Sequence, residues 1–104
     1  MLDEGFKAVK LLISGRVQGV CFRHWTVQTA CEHSLDGWVR NLSDGNVEAL
    51  LVGKEEQVDA VILKCNSGPP EAVVDHIEVT NAIGITPKGF SQKPTLDVNE
   101  RRGL

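Results

Sequence analysis

The chain has 104 residues, 41% hydrophobic and 24% charged, an ordinary balance for one soluble globular domain and too little chain for two. Its 11 basic and 14 acidic side chains leave a net charge of -3, which argues against the basic footprint of a nucleic-acid partner, so any bound anion is held locally against the overall charge. Apolar runs such as Leu11 to Ile13 are far too short to span a bilayer, and the start Met1, Leu2, Asp3, Glu4 is acidic where a signal peptide is basic; a cytoplasmic protein with no membrane partner is expected.

In chain order, residues 1 to 7 read as a polar tail. Ala8 to Ser14 alternates, with Val9, Leu11 and Ile13 on one face, the pattern of a half-buried strand. A loop follows from Gly15, and Phe22 to about His33 lacks Gly and Pro and spaces Phe22, Trp25, Thr26, Thr29, Ala30 and His33 as a helix face. That stripe is weakly apolar, so the helix depends on packing, and Ser34 stands where a glycine would end a helix more comfortably. Leu35 to Asn41 and Val47 to Val52 form a predicted hairpin around the turn signal Ser43, Asp44, Gly45, Asn46. Lys54 to Cys65 is the clearest helix, with Val58, Val61, Ile62 and Cys65 on one face and Glu55 and Glu56 in its first turn; Gly68, Pro69, Pro70 stops it. Ala72 to Val79 reads as a fourth strand, Gly89 to Ser91 as an edge strand broken by Pro94, and Asn99 to Leu104 as a frayed end. This order of strand, helix, strand, strand, helix, strand predicts an α+β fold of the ferredoxin-like split β-α-β type: a four- to five-stranded antiparallel sheet with two helices on one face, in one domain with a core of about residues 8–98.

The chemistry centres on Gly15, Arg16, Val17, Gln18, Gly19, Val20, Cys21, Phe22, Arg23. Two glycines four apart let a loop curl so that backbone N–H groups converge at a helix start, and Arg23 in the first turn adds a fork of donors for phosphate or carboxylate. The nucleotide P-loop is excluded, because three residues rather than four separate the glycines and Val20 follows instead of Lys; the dinucleotide fingerprint lacks its third glycine. A plain glycine-rich turn remains the competing reading. Arg16 and Arg23 weigh against it, since a helix start disfavours positive charge unless an anion is bound.

Cys21, Cys31 and Cys65 form neither a disulfide framework nor a zinc motif, and reduced thiols suit them better. His24, His33 and His76 are scattered without supporting carboxylates and are expected in surface or packing roles, so no metal or other cofactor is expected. Asn41, Leu42, Ser43 matches a glycosylation acceptor by chance. Cys21 is not placed as a covalent nucleophile, for the cysteine phosphatase arrangement needs arginine six positions on, where Val27 stands. Trp25 and Trp38, with no tyrosine in the chain, make a poor stacking platform for RNA.

Gly15-Arg16-Val17-Gln18-Gly19-Val20-x-Phe22-Arg23, with Gly37-Trp38-Val39-Arg40-Asn41, Asp44-Gly45-x-Val47-Glu48, Gly53, and Gly68-Pro69 with Ala72 and Val74, resembles the acylphosphatase family over about residues 8 to 80. The resemblance implies hydrolysis of acyl phosphates to a carboxylate and inorganic phosphate. By that resemblance the backbone from Gly15 to Cys21 binds the phosphate, Arg23 anchors it and Asn41 positions the attacking water, without metal or cofactor. Cys21 falls at a variable loop position, while His33 and Ser34 replace a commonly apolar residue and a glycine, which bears on the first helix and not on the chemistry. Asn41 as a strand-end cap for the following turn is the bare alternative for that residue. For the whole chain the alternative is a non-catalytic anion-binding or regulatory module on the same fold. Small acyl phosphates are the expected partners, inorganic phosphate and sulfate the expected competitors, and a monomer the expected state.

Overall fold

The protein is described here by a computed structural model covering residues 5–84 and 86–98. The expected alternation is present in its first strand, β1 (Phe6–Arg16), where Leu11 and Ile13 are wholly buried and Lys10 is exposed. β1 runs further at both ends than side-chain pattern predicts. Phe6 and Lys7, read above as tail, pair with Lys54 and Gly53, and Lys7 Nζ meets Asp59 Oδ1 at 2.5 Å. Ladder bonds are made by the backbone and are indifferent to side-chain polarity, so pairing carries on past the alternation. The expectations for residues 1–4 and for Asn99 to Leu104 fall outside the described residues.

After β1 come α1 (Phe22–Glu32), β2 (Asp36–Asn41), β3 (Val47–Lys54), α2 (Glu55–Cys65), β4 (Val73–Asn81) and β5 (Phe90–Gln92). Leu42 and Asn46 close the β2–β3 turn, with Leu42 N donating to Asn46 O at 2.8 Å and Asp44 Oδ1 accepting from Asn46 N at 3.0 Å. The sheet order is β4-β1-β3-β2-β5, and the first four strands pair antiparallel. The fifth corrects the expectation of an all-antiparallel sheet: β5 runs parallel to β2, with Val39 beside Gln92. β4 ends beside the start of β1, where Asn81 pairs with Val9 and Ala82 N donates to Ala8 O at 3.1 Å. The chain then reaches the start of β2, where Gly37 N donates to Gly89 O at 3.0 Å. Having stayed at one end of the sheet, it can enter β5 only in the direction of β2.

Alternate strand residues Leu11, Ile13, Val39, Val47, Ala49 and Leu51 merge with Phe22, Ala30, Val58, Val61 and Cys65 in one buried cluster, so both helices cover the same face. Of the stripe predicted for α1, Phe22, Thr26, Thr29 and Ala30 are buried. Thr26 is tolerated there because its hydroxyl donates to Phe22 O at 2.8 Å. His33 is no core residue; its Nδ1–H donates to Gln57 Oε1 at 2.5 Å and its Nε2 accepts from Lys64 Nζ at 3.1 Å, which bridges α1 to α2. Ser34 adopts φ 58, and Leu35 N reaches Ala30 O at 3.0 Å while Ser34 N reaches Cys31 O at 3.1 Å. This is a Schellman ending built with serine in the position glycine usually holds. On the open face, buried Glu48 is held by Arg40, whose Nε lies 2.8 Å from Oε1, and Arg40 also covers Trp38 at 4.5 Å from the ring centre. Among the described residues no helix is long and apolar enough to cross a membrane.

Candidate active site

The end of β1, the start of α1 and the ends of β2 and β5 lie together, and between them opens a pocket of about 330 Å³. Its walls include Val17, Gln18, Gly19, Cys21, Arg23 and Asn41 of the residues expected from sequence. Gly15, Arg16 and Val20 do not line it. Gly15 and Arg16 are the last residues of β1, and Val20 turns its side chain into the core.

The loop is anchored at three points. Val17 and Val20 are buried in the core, so the segment between them is fixed from below. Gln18 Nε2 donates to both Leu42 O and Asn46 O at 2.8 Å, which ties the loop to the turn immediately after Asn41. Gly15 allows the approach of β4: a Cβ there would lie 2.2 Å from Val73 O and 2.7 Å from Asp75 N, at a bulge where the register shifts between Ser14 and Gly15. Gly19 differs. It has φ 74 with open space around it, so its glycine serves the turn and not a close approach.

At the helix start the backbone donors have no partners within the protein's own helix. Cys21 is the N-cap in the left-handed region with φ 64, its thiol makes no capping bond, and no acidic residue stands in the first turn. Among the described residues the opening N–H groups of α1, on Phe22, Arg23 and His24, therefore have no acceptor, and they lie beside the pocket with the positive end of the helix dipole. Left-handed residues at Gly19 and Cys21 supply the kind of loop that forms anion-binding concavities. Arg23 is half-buried, and among the described residues no carboxylate pairs with it. Among the described residues no Asp or Glu lines the pocket. A half-buried guanidinium beside an uncapped helix start is chemically suited to receive an anion.

Three wall residues were not singled out as site residues from the sequence: Phe22, His24 and Gln92. Phe22 contributes backbone, its ring being buried against Trp25 at 5.5 Å. His24 follows Arg23 in the first helical turn, and that adjacency was a signal available for it. Gln92 carries no local signal, since only the parallel pairing of β5 with β2 brings it near Asn41. Among the described residues no group of three or more His, Cys, Asp or Glu is gathered as a metal site. Cys65 is inert, its thiol pushed up to about 12 by burial, whereas Cys21 and Cys31 are exposed.

Comparison with known proteins gives the family. The family model described as acylphosphatase matches residues 9–92. An acylphosphatase of Rhodospirillum rubrum is 51% identical over 90 residues, covering 86% of this chain and 99% of the relative, and one of Rhizorhabdus wittichii is 47% identical over 89 residues, covering 86% and 90%. The solved structure of an acylphosphatase from Coxiella burnetii superposes with a TM-score of 0.83 at 30% identity, covering 86% of this chain and 95% of that one. With the family model matched over residues 9–92 and the fold and most of the chain's length in common, this chain belongs to the acylphosphatase family and is an enzyme that hydrolyses acyl phosphates.

Proposed function

We propose that the reaction is an in-line displacement in which Asn41 holds the attacking water and the backbone of residues 15–21 together with Arg23 holds the phosphate. The observation that supports this most is the half-buried Arg23 without a carboxylate partner among the described residues, set beside the uncapped start of α1. The leaving group is a carboxylate, weakly basic, so its departure demands little general acid. Positioning and charge stabilisation then carry the catalysis, and N–H groups with a guanidinium provide both. Asn41 is neutral and orients the water without abstracting its proton, which passes to the bound phosphate. In this scheme inorganic phosphate and sulfate compete with substrate, chelators leave the rate unchanged, and the one domain acts as a monomer in the cytoplasm.

Paired substitutions test the division of labour. Asn41→Ala should bind phosphate nearly as well as the parent while turnover falls on the order of 10² to 10³. Arg23→Ala should lose phosphate affinity and turnover together, and Arg23→Lys should restore little, since a point charge does not reproduce the fork. Phosphate titration and single-turnover rates on folded variants read the outcome. Loss of phosphate affinity in proportion to rate in Asn41→Ala would make Asn41 a binding residue and overturn its role with the water.

A further inference from the structure

The proposed displacement uses Arg23 and Asn41 and leaves two polar side chains of the same pocket without a task, His24 and Gln92. Both are exposed, and among the described residues neither side chain is engaged in a hydrogen bond or ion pair. They come from different elements that pack together, α1 and β5. Because Gln92 pairs in parallel with Val39, its side chain stands on the helix face with Val39 and with Asn41 two residues further on. Strand spacing puts the Cα atoms of Gln92 and Asn41 about 8 Å apart, room enough for a substrate group between them.

In an in-line displacement the carboxylate leaves from the side opposite the water, so the acyl group must rest on wall residues that serve neither the water nor the phosphate. Gln18 is unavailable, with its amide nitrogen already donating to Leu42 O and Asn46 O. Val17 and Phe22 are buried in the core. The geometry points to His24 and Gln92 as the wall that receives the acyl group, and to a preference for short acyl phosphates whose acyl part ends in a hydrogen-bond acceptor, above all a second carboxylate.

The preference follows from what each kind of acyl group would do to that wall. An apolar group covers an imidazole and a carboxamide and returns no hydrogen bonds for the water it displaces. A terminal carboxylate accepts from both, meets no acidic side chain of the described residues in the pocket, and stands near the positive end of α1. The inference rests on the assignment of the phosphate to Arg23 and the loop.

Fumaryl monophosphate and crotonyl phosphate share a trans four-carbon skeleton and differ in ending with a carboxylate or a methyl, which makes them a matched pair of probes. The parent should show a kcat/KM about tenfold higher for fumaryl monophosphate. His24→Ala and Gln92→Ala should each remove several-fold of that advantage through KM, leave crotonyl phosphate within about twofold, and leave inorganic phosphate affinity unchanged. His24→Asn, which keeps a donor of similar reach, should recover part of the loss. Equal losses on both substrates, or none on either, would overturn the acyl wall; an equal fall in kcat for Gln92→Ala would assign that residue to the water instead. Arg23→Ala retaining full phosphate affinity would bring down the phosphate assignment, and the wall with it.

Discussion

Gln18 donates from Nε2 to Leu42 O at 2.8 Å, and a second bond of 2.8 Å to Asn46 O makes this one side chain the clamp between the glycine-rich loop and the turn that follows Asn41. The two halves of the site are 23 residues apart in sequence, from Gln18 to Asn41, and the clamp holds them in one frame. Gln18→Ala should cost about 1–2 kcal/mol of stability, as the tie between loop and turn is lost and each of the two carbonyls keeps only its backbone donor, Gly45 N on Leu42 O and Leu42 N on Asn46 O. Its kcat/KM should fall by at least about tenfold, because small displacements of positioning groups are expensive in rate. Gln18→Glu should be worse on both counts, since it offers the two carbonyls no hydrogen. Urea denaturation alongside kinetics measured well below the melting temperature checks this, and normal kinetics in a destabilised Gln18→Ala would reduce the clamp to a purely structural role.

The two loop glycines should fail differently. In Gly15→Ala the new Cβ meets backbone of β4 at 2.2 Å, so the variant should lose more than about 2 kcal/mol of stability through disrupted pairing of β1 with β4. In Gly19→Ala nothing lies within 4 Å, and only left-handed strain of about 1 kcal/mol is added. Its effect should appear mainly in phosphate affinity, where loop shape matters. Thermal melts and phosphate titrations of both variants separate the two mechanisms.

Ser34 at φ 58 is a stabilisation opportunity remote from the pocket. Ser34→Gly removes the clash of Cβ with the backbone while keeping the Schellman bonds, and should gain about 1 kcal/mol, or roughly 4–8 °C in Tm for a domain of this size. Activity at 25 °C should be unaltered. A lower Tm would show that unfolded-chain entropy of glycine outweighs the relieved strain.

Burial of Cys65 predicts an alkaline weakness. The thiol ionises at its ordinary 9.0 in the unfolded chain and at about 12 in the folded one, so the folded state resists thiolate formation. Its contribution is fully present below pH 9 and is lost as pH rises towards 12, with a slope of up to about 1.4 kcal/mol per pH unit. Cys65→Ala should flatten that decline while lowering stability at pH 7 through lost packing. In the native protein at pH 8, a thiol reagent should titrate Cys21 and Cys31 and reach Cys65 only on unfolding.

Short-range chemistry was enough to read much of this protein. Alternation in β1, helical spacing at Val58, Val61 and Cys65, the Asp44-Gly45 turn and the loop from Gly15 to Arg23 are local patterns, because burial of one face and backbone conformation at glycine are decided within a few residues. The pairing of that loop with Asn41 was legible only through the resemblance of whole motifs to a family. Tertiary structure alone decided the rest. β5 is three residues long and carries no strong pattern, so its parallel place beside β2, and with it the entry of Gln92 into the pocket, depends on the path the chain takes from Asn81 to Gly89. His24 became a pocket residue because α1 starts at Phe22 and turns its first N–H groups and side chains toward the end of β2, a direction set by packing on the sheet. Gly15 belongs to the same class: its necessity comes from the backbone of Val73 and Asp75 almost sixty residues away, and no spacing within the loop could announce a contact that exists only once β4 has closed against β1.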